Sequence, residues 1–349
     1  EGGHGAAQSL DLWMLATMHG FPRDRAMVET TLKKLVIDHK LDDTVIEVAI
    51  NGHQIALAKI FDSMVSLASM LVGATARKKT VRKTINECGC TMFLNLFLAF
   101  GSTYHRQEIV GKLMTHIGSG SKEEIDMALS VFVRMVDEEE YIDLLCPFSA
   151  FLRCLIDYVE HLSMSQVRKI FYVLCTMAEH STMLLDAGGA TGGADESGDA
   201  ELNILLRKLL ASTQAHYRSI GIVAGSAMVL AICSQVDRRS TPSSSQESDG
   251  SQSSNKSGSQ VALTPQNMKA VNVLKLMLNK GQDSASLEIL HSLYDELSML
   301  IKQGHRLVGS SKEVDRPLTD AVAEWFEIEC IEKLQSCYLV NKDSGEDFG

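Results

Sequence analysis

The sequence predicts an all-α protein, an irregular α-solenoid of antiparallel helix pairs that is HEAT-like at best. Three observations carry this expectation. Leucine, methionine and alanine are abundant, aromatic residues reach only 6%, and five prolines interrupt 349 residues; that mixture favours helix over sheet. Apolar residues recur at offsets of three and four along most of the chain, as on a helix with one buried face. Glycine and serine are gathered in two stretches, not spread as the turn punctuation of short strands. About a dozen such helices do not wrap one core; stacked pairs bury each stripe on a neighbour. No fixed tetratricopeptide or ankyrin period is present, so the repeats are irregular.

In chain order, breaks are expected at Gly20 to Pro22, Gly73, Gly101, Gly118 to Gly120, Pro147, Gly281 and Gly304. Ile109, Val110, Leu113, Met114 and Ile117 form one stripe. Ser121 with Glu124, and Ser163 with Gln166, have capping-box spacing before Ile125 and Val167, where side chains satisfy amides left free by the first turn. Thr264 followed by Pro265 is a third start, with proline where its missing N–H costs nothing. Leu287, Leu290, Leu293, Tyr294, Leu297, Leu300 and Ile301 make a later stripe.

The segments 186–199 and 239–262 lack apolar residues able to offset their ordering entropy. The expected organisation is therefore a solenoid section over 1–185, a disordered loop over 186–199 and a helical segment over 200–238. A disordered Ser/Gln-rich loop over 239–262, a second solenoid section over 263–340 and a tail over 341–349 follow.

With 33 basic and 44 acidic residues the formal net charge is -11; 45% of residues are hydrophobic, 22% are charged and the mean hydropathy is +0.02. These values argue against a disordered, collagen-like or nucleic-acid-coating chain. Eight cysteines without framework spacing fit a reducing compartment. The longest apolar run, Ile220 to Cys233, is too short to span a bilayer, and the chain starts at Glu1 without a leader. A soluble, intracellular portion of a longer chain is expected.

Cys88 and Cys90 fit no zinc knuckle; Cys154, Asp157 and His161 could share a helix face, but zinc needs four convergent ligands. Small core hydrophobes are the better reading of the cysteines. His105, His116, His161 and His180 read as surface or satisfied core residues. The glycines of GGATGG lack a phosphate-loop ending, and the acids Asp137 to Glu140 read as a solvated helix face. No nucleophile, base and orienting group assemble, so neither an enzyme nor a metal or other cofactor is expected.

One basic cluster stands out in the acidic chain: Arg77, Lys78, Lys79, Arg82 and Lys83, opening a helix. It is either a phosphate-binding patch or a solvated helix face balanced by acids elsewhere. Ser245, Ser251 and Ser259 each precede glutamine; phosphorylation would add about -1.5 to -2 charge per site. Between His216 and Ser240, Arg218, Gly221 and Gly225 fall on one helix face, while Ile220, Val223, Ala227 and Leu230 line another. Glycine costs about 1 kcal/mol inside a helix relative to alanine. Two of them four apart imply a close backbone neighbour, either inside the solenoid or at an interface that Tyr217 and Arg218 enter.

Several long blocks in order, QEIVGKLMTHIGSGSKEEIDMAL (107–129), LSMSQVRKIFYVLCTMA (162–178), RKLLASTQAHYRSIGIVAG (207–225), SASLEILHSLYDEL and AEWFEIE, resemble the Fanconi anaemia group D2 family. The similarity begins near Asp11 and covers nearly the whole chain. The resemblance implies an irregular α-solenoid acting in the nucleus, on chromatin, in repair of DNA interstrand crosslinks. It further implies pairing with the Fanconi anaemia group I protein around duplex DNA. A ubiquitin ligase core complex would then lock the pair with one ubiquitin, and DNA-damage kinases would act near the acceptor. In the family the acceptor is a lysine; here that place holds Arg218, whose guanidinium stays protonated and forms no isopeptide bond. Lys208 lies nearby in the RKLL block and not at the acceptor's place. The alternative is a generic helical-repeat adaptor for proteins that does not bind DNA.

Overall fold

The computed structural model describes residues 8–52, 57–188, 196–240, 264–282, 287–302, 319 and 321–329. Every regular element among them is helical, as expected. The first compact unit ends at Met177 and the second begins at Ala178.

The first unit contains α1 (Ser9–His19), α2 (Arg25–Ile37), α3 (Asp43–Asn51), α4 (Phe61–Val72), α5 (Lys79–Ala99), α6 (Thr103–Ile117), α7 (Lys122–Asp137) and α8 (Glu139–Leu145). Short turns follow: 3-10 over Cys146–Phe148, α9 (Ser149–Arg153), and 3-10 over Cys154–His161. The first part of α10 (Met164–Gly188) completes it. The long helix α5 is central, packing on α2, α3, α4, α6, α7 and α8. Its Phe93 and Phe97, with Phe132 and Phe171, are the largest fully buried side chains.

Gly20, Gly73 and Gly118 cap α1, α4 and α6. The α6 stripe is buried at Ile109, Val110, Leu113 and Ile117. At α10 the expected cap forms in part, Ser163 N donating to Gln166 Oε1 at 3.0 Å. At α7 it does not: Ser121 makes no side-chain cap, and its N–H goes to Ser119 Oγ at 3.3 Å. Glu124 is drawn away by a stronger partner, described below.

The second unit contains the rest of α10, then α11 (Glu196–Leu210), α12 (Ala215–Ser240), α13 (Pro265–Gln282), α14 (Leu287–Lys302) and α15 (321–329). Here α12 is central and packs on α11, α13 and α14. Its span Ala215–Gln235 has the length and composition of a membrane-crossing helix, which the apolar run alone did not indicate. Inside the unit 78% of that window is buried, so packing accounts for its apolarity. Thr264 caps α13 as expected, accepting from Asn267 N at 3.2 Å.

Some expected boundaries move. Helices α10 and α11 reach Gly188 and Glu196, into the segment 186–199, and α12 ends at Ser240. The break expected at Gly281 falls one residue later, where α13 ends at Gln282. In α14 the buried apolar residues are Ile289, Leu293, Leu297 and Leu300, with Glu296 buried beside them, whereas Leu287 and Tyr294 are exposed. Leu293, Leu297 and Leu300 of the expected stripe are thus buried, while Leu287 at the helix start and Tyr294 are not. Gly304, the tail 341–349 and Ser245, Ser251 and Ser259 lie outside the described residues.

Candidate functional site

The segment around Arg218 opens α12. A turn at Ala211 to Gln214, in which Gln214 N donates to Ser212 Oγ at 3.2 Å, reverses the chain after α11. Gly221 then lies against the end of that helix: an added Cβ would be 3.0 Å from Leu210 N and 3.1 Å from Leu209 Cβ. One turn on, a Cβ at Gly225 would meet Met277 Sδ of α13 at 2.6 Å. The close backbone neighbour expected is found at Gly221, in this chain's own α11; at Gly225 the neighbour is a side chain, Met277 of α13, and not a backbone. Gly221 and Gly225 are buried beneath them and do not present a partner surface. Tyr217 and Arg218, one turn nearer the helix start, are half-buried.

The basic cluster opens α5, as expected, and its members differ. Arg82 pairs with Glu123 at 3.5 Å and Lys83 with Glu87 at 3.4 Å. Arg77, Lys78 and Lys79 are exposed, and among the described residues no carboxylate pairs with them. Lys78 occupies the N-cap without a side-chain cap bond.

Of the cysteines expected to be core residues, Cys88, Cys90, Cys175 and Cys233 are buried, whereas Cys146 is half-buried and Cys154 exposed; Cys330 and Cys337 lie outside the described residues. Burial pushes the Cys88 and Cys90 thiols up to about 12. Between them Gly89 presses on α4: a Cβ there would stand 2.8 Å from Val72 N. Cys154, Asp157 and His161 do not form a face, because their segment is 3-10 and aligns positions three apart. Among the described residues no group of three or more His, Cys, Asp or Glu is placed to hold a metal ion. The acids 137–140 are not one helix face either: α7 ends at Asp137, Glu138 is extended and α8 starts at Glu139. Asp137 accepts from the Tyr172 hydroxyl at 2.8 Å.

Two buried polar constellations escaped the sequence. Lys169 of α10, 2% exposed, donates to Asp126 Oδ1 at 2.7 Å, Ser130 Oγ at 2.8 Å and Asp126 O at 3.2 Å. Desolvation lowers its pKa, opposed by the Asp126 carboxylate. The other joins three helices: His116 Nδ1 is hydrogen-bonded to Glu124 Oε1, and its Nε2 lies 2.7 Å from Ser69 Oγ. His116 is thus a satisfied core histidine, and Glu124 binds it instead of capping α7. The separations of 47 and 8 residues match no local spacing rule, so only packing of α4 on α6 and α7 brings the three together.

A family model described as Fanconi anaemia protein FancD2 nuclease matches residues 4–343. The chain is 25% identical over 335 residues to the Fanconi anemia group D2 protein homologs of Mus musculus and Rattus norvegicus, covering 96% of this chain and 20% of each relative. It is 24% identical over 225 residues to the Fanconi anemia group D2 protein of Gallus gallus, covering 63% of this chain and 14% of that protein. The chain therefore spans about a fifth or less of these relatives' length. The match over nearly the whole chain and the all-helical fold agree, and the chain belongs to the Fanconi anaemia FancD2 family.

Proposed function

We propose that this chain is a section of a scaffold for DNA interstrand-crosslink repair, acting in the nucleus on chromatin. In this reading it pairs with the Fanconi anaemia group I protein around duplex DNA, regulated by ubiquitin ligase and DNA-damage kinases. The family match over residues 4–343 is the observation that carries the reading. Two features of the structure support it. Tyr217 and Arg218, at the family's acceptor segment, are half-buried at the start of α12 rather than sealed in the core. Arg77, Lys78 and Lys79 crowd the start of α5, where each cation opposes the helix dipole by about 0.3–1 kcal/mol. Contact with phosphate reverses that cost.

Gel shifts with duplex DNA, with and without the group I protein and at two salt concentrations, test the reading. Cooperative, salt-sensitive binding is expected. Binding of protein partners without any DNA complex would favour the adaptor instead. The arginine sets a second test. Reconstitution with the family's ubiquitin ligase is expected to leave residue 218 unmodified, and Arg218→Lys to create an acceptor there. Efficient modification of one other lysine in the unaltered chain would show that the acceptor has moved.

A further inference from the structure

Ser69 lies in the last turn of α4, His116 in the last turn of α6 and Glu124 in the first turn of α7. The Glu124 carboxylate can only accept, so it takes the Nδ1 proton of His116 and leaves the Nε2 lone pair for the Ser69 hydroxyl at 2.7 Å. Serine on one imidazole nitrogen and carboxylate on the other is the connectivity that activates serine nucleophiles on unrelated folds. Burial is graded along the chain of bonds. The His116 side chain is 8% exposed, with the Phe93 ring edge-on at 6.2 Å. Ser69 is half-buried and the Glu124 side chain is 20% exposed. Gly73 leaves the carboxylate uncrowded on one side, where an added Cβ would lie 3.5 Å from Glu124 Oε1.

We propose that Ser69 is a nucleophilic serine that accepts an acyl group from activated esters, with His116 as its general base and Glu124 as a positioning residue. Ser69 Oγ bonds to the ester carbonyl carbon while its proton passes to His116 Nε2. The carbon–oxygen bond to the leaving group then breaks, and the departing oxygen keeps the electron pair and takes the proton back from His116. Ester and serine become acyl-serine and alcohol, with no other reactant. The adjacent amides are already engaged: Gly73 N donates to Ser69 O at 3.0 Å and Ala74 N to Leu71 O at 3.2 Å. A missing oxyanion donor costs about 10²–10³ in rate. That cost falls on both steps; the good leaving group of an activated ester still lets acylation proceed, whereas the acyl-serine is an unactivated ester, so its hydrolysis is slow and one adduct per chain accumulates.

The test treats the full 349-residue chain with p-nitrophenyl acetate and maps acetylation by peptide mass spectrometry. One acetyl group is expected on Ser69, formed faster than on Ser102, an exposed serine of the same chain. Ser69→Ala should lose it. His116→Ala should slow it by about 10²-fold or more, and added imidazole should restore part of the rate, which a purely structural role would not allow. Glu124→Gln should slow it and Glu124→Asp should recover part of the loss, with folding checked by circular dichroism. Acetylation of Ser69 no faster than of Ser102 in the unaltered protein would overturn the proposal without recourse to any variant. So would an unchanged rate in a folded His116→Ala protein.

Discussion

At Gly89 a hydrogen atom in place of a side chain sets the distance between α4 and α5. A methyl group there would meet Val72 N at 2.8 Å and Leu71 Cβ at 2.9 Å, backbone and the root of a side chain rather than a flexible tip. Gly89→Ala is expected to destabilise the fold by about 1–3 kcal/mol, the usual cost of overpacking. Gly101→Ala, with nothing within 4 Å, should stay within about 0.5 kcal/mol; urea midpoints of the two variants check the contrast. His39 poses the reverse case. Its φ of 52° is left-handed at the end of α2, where Lys40 N and Leu41 N close back on Leu35 O at 2.9 and 3.3 Å. An L-residue pays about 1–2 kcal/mol for that conformation, and glycine's larger unfolded-state entropy takes back part of the gain. His39→Gly should therefore raise the urea midpoint by roughly 0.5–1 kcal/mol in stability. Buried thiols held at about 12 are poor nucleophiles, so native alkylation should label Cys154 well before Cys88 or Cys90.

At the scale of elements, charge burial between α7 and α10 makes stability depend on pH. Lys169 has its pKa lowered from 10.5 by desolvation. Below the folded value the lysine is charged in both states, and the burial penalty on the ammonium is fully present. Between the folded value and 10.5 the unfolded chain holds more protons, so stability rises with pH across that window. Lys169→Met should flatten that rise in denaturant melts at increasing alkaline pH; Asp126, one-third exposed, stays hydrated without its partner. Helix type and several ends were legible because propensity and local offsets act within one turn. Ser163 with Gln166 and Thr264 before Pro265 needed only their neighbours. Ser121 with Glu124 had the same spacing, yet His116 competes for the carboxylate, and no local rule contains a residue eight positions away on another helix. The α14 stripe was legible as amphipathic, but which angle of it faced inward depended on where α12 and α13 lie.

For the molecule as a whole, a net charge of -11 and an exposed basic trio coexist. If the trio binds phosphate, replacing Arg77, Lys78 and Lys79 by alanine should weaken binding to all duplexes alike. It should also reduce the slope of log K against log salt by about 0.9 for each phosphate no longer neutralised; an unchanged slope would place DNA elsewhere. The sequence by itself determined the helical class and the family, because composition, apolar period and long ordered blocks are properties of the chain read in one dimension. It also raised the proposal that Arg218 stands where the family has a lysine, which rests on the resemblance of the RKLLASTQAHYRSIGIVAG block. Tertiary structure alone decided that Gly221 and Gly225 serve α11 and α13 and not a partner, and that Ser69, His116 and Glu124 meet. The physical reason is common to both: a close approach or a hydrogen bond between helices depends on how their axes are placed. That placement comes from the summed burial of many side chains, of which no local spacing carries a record.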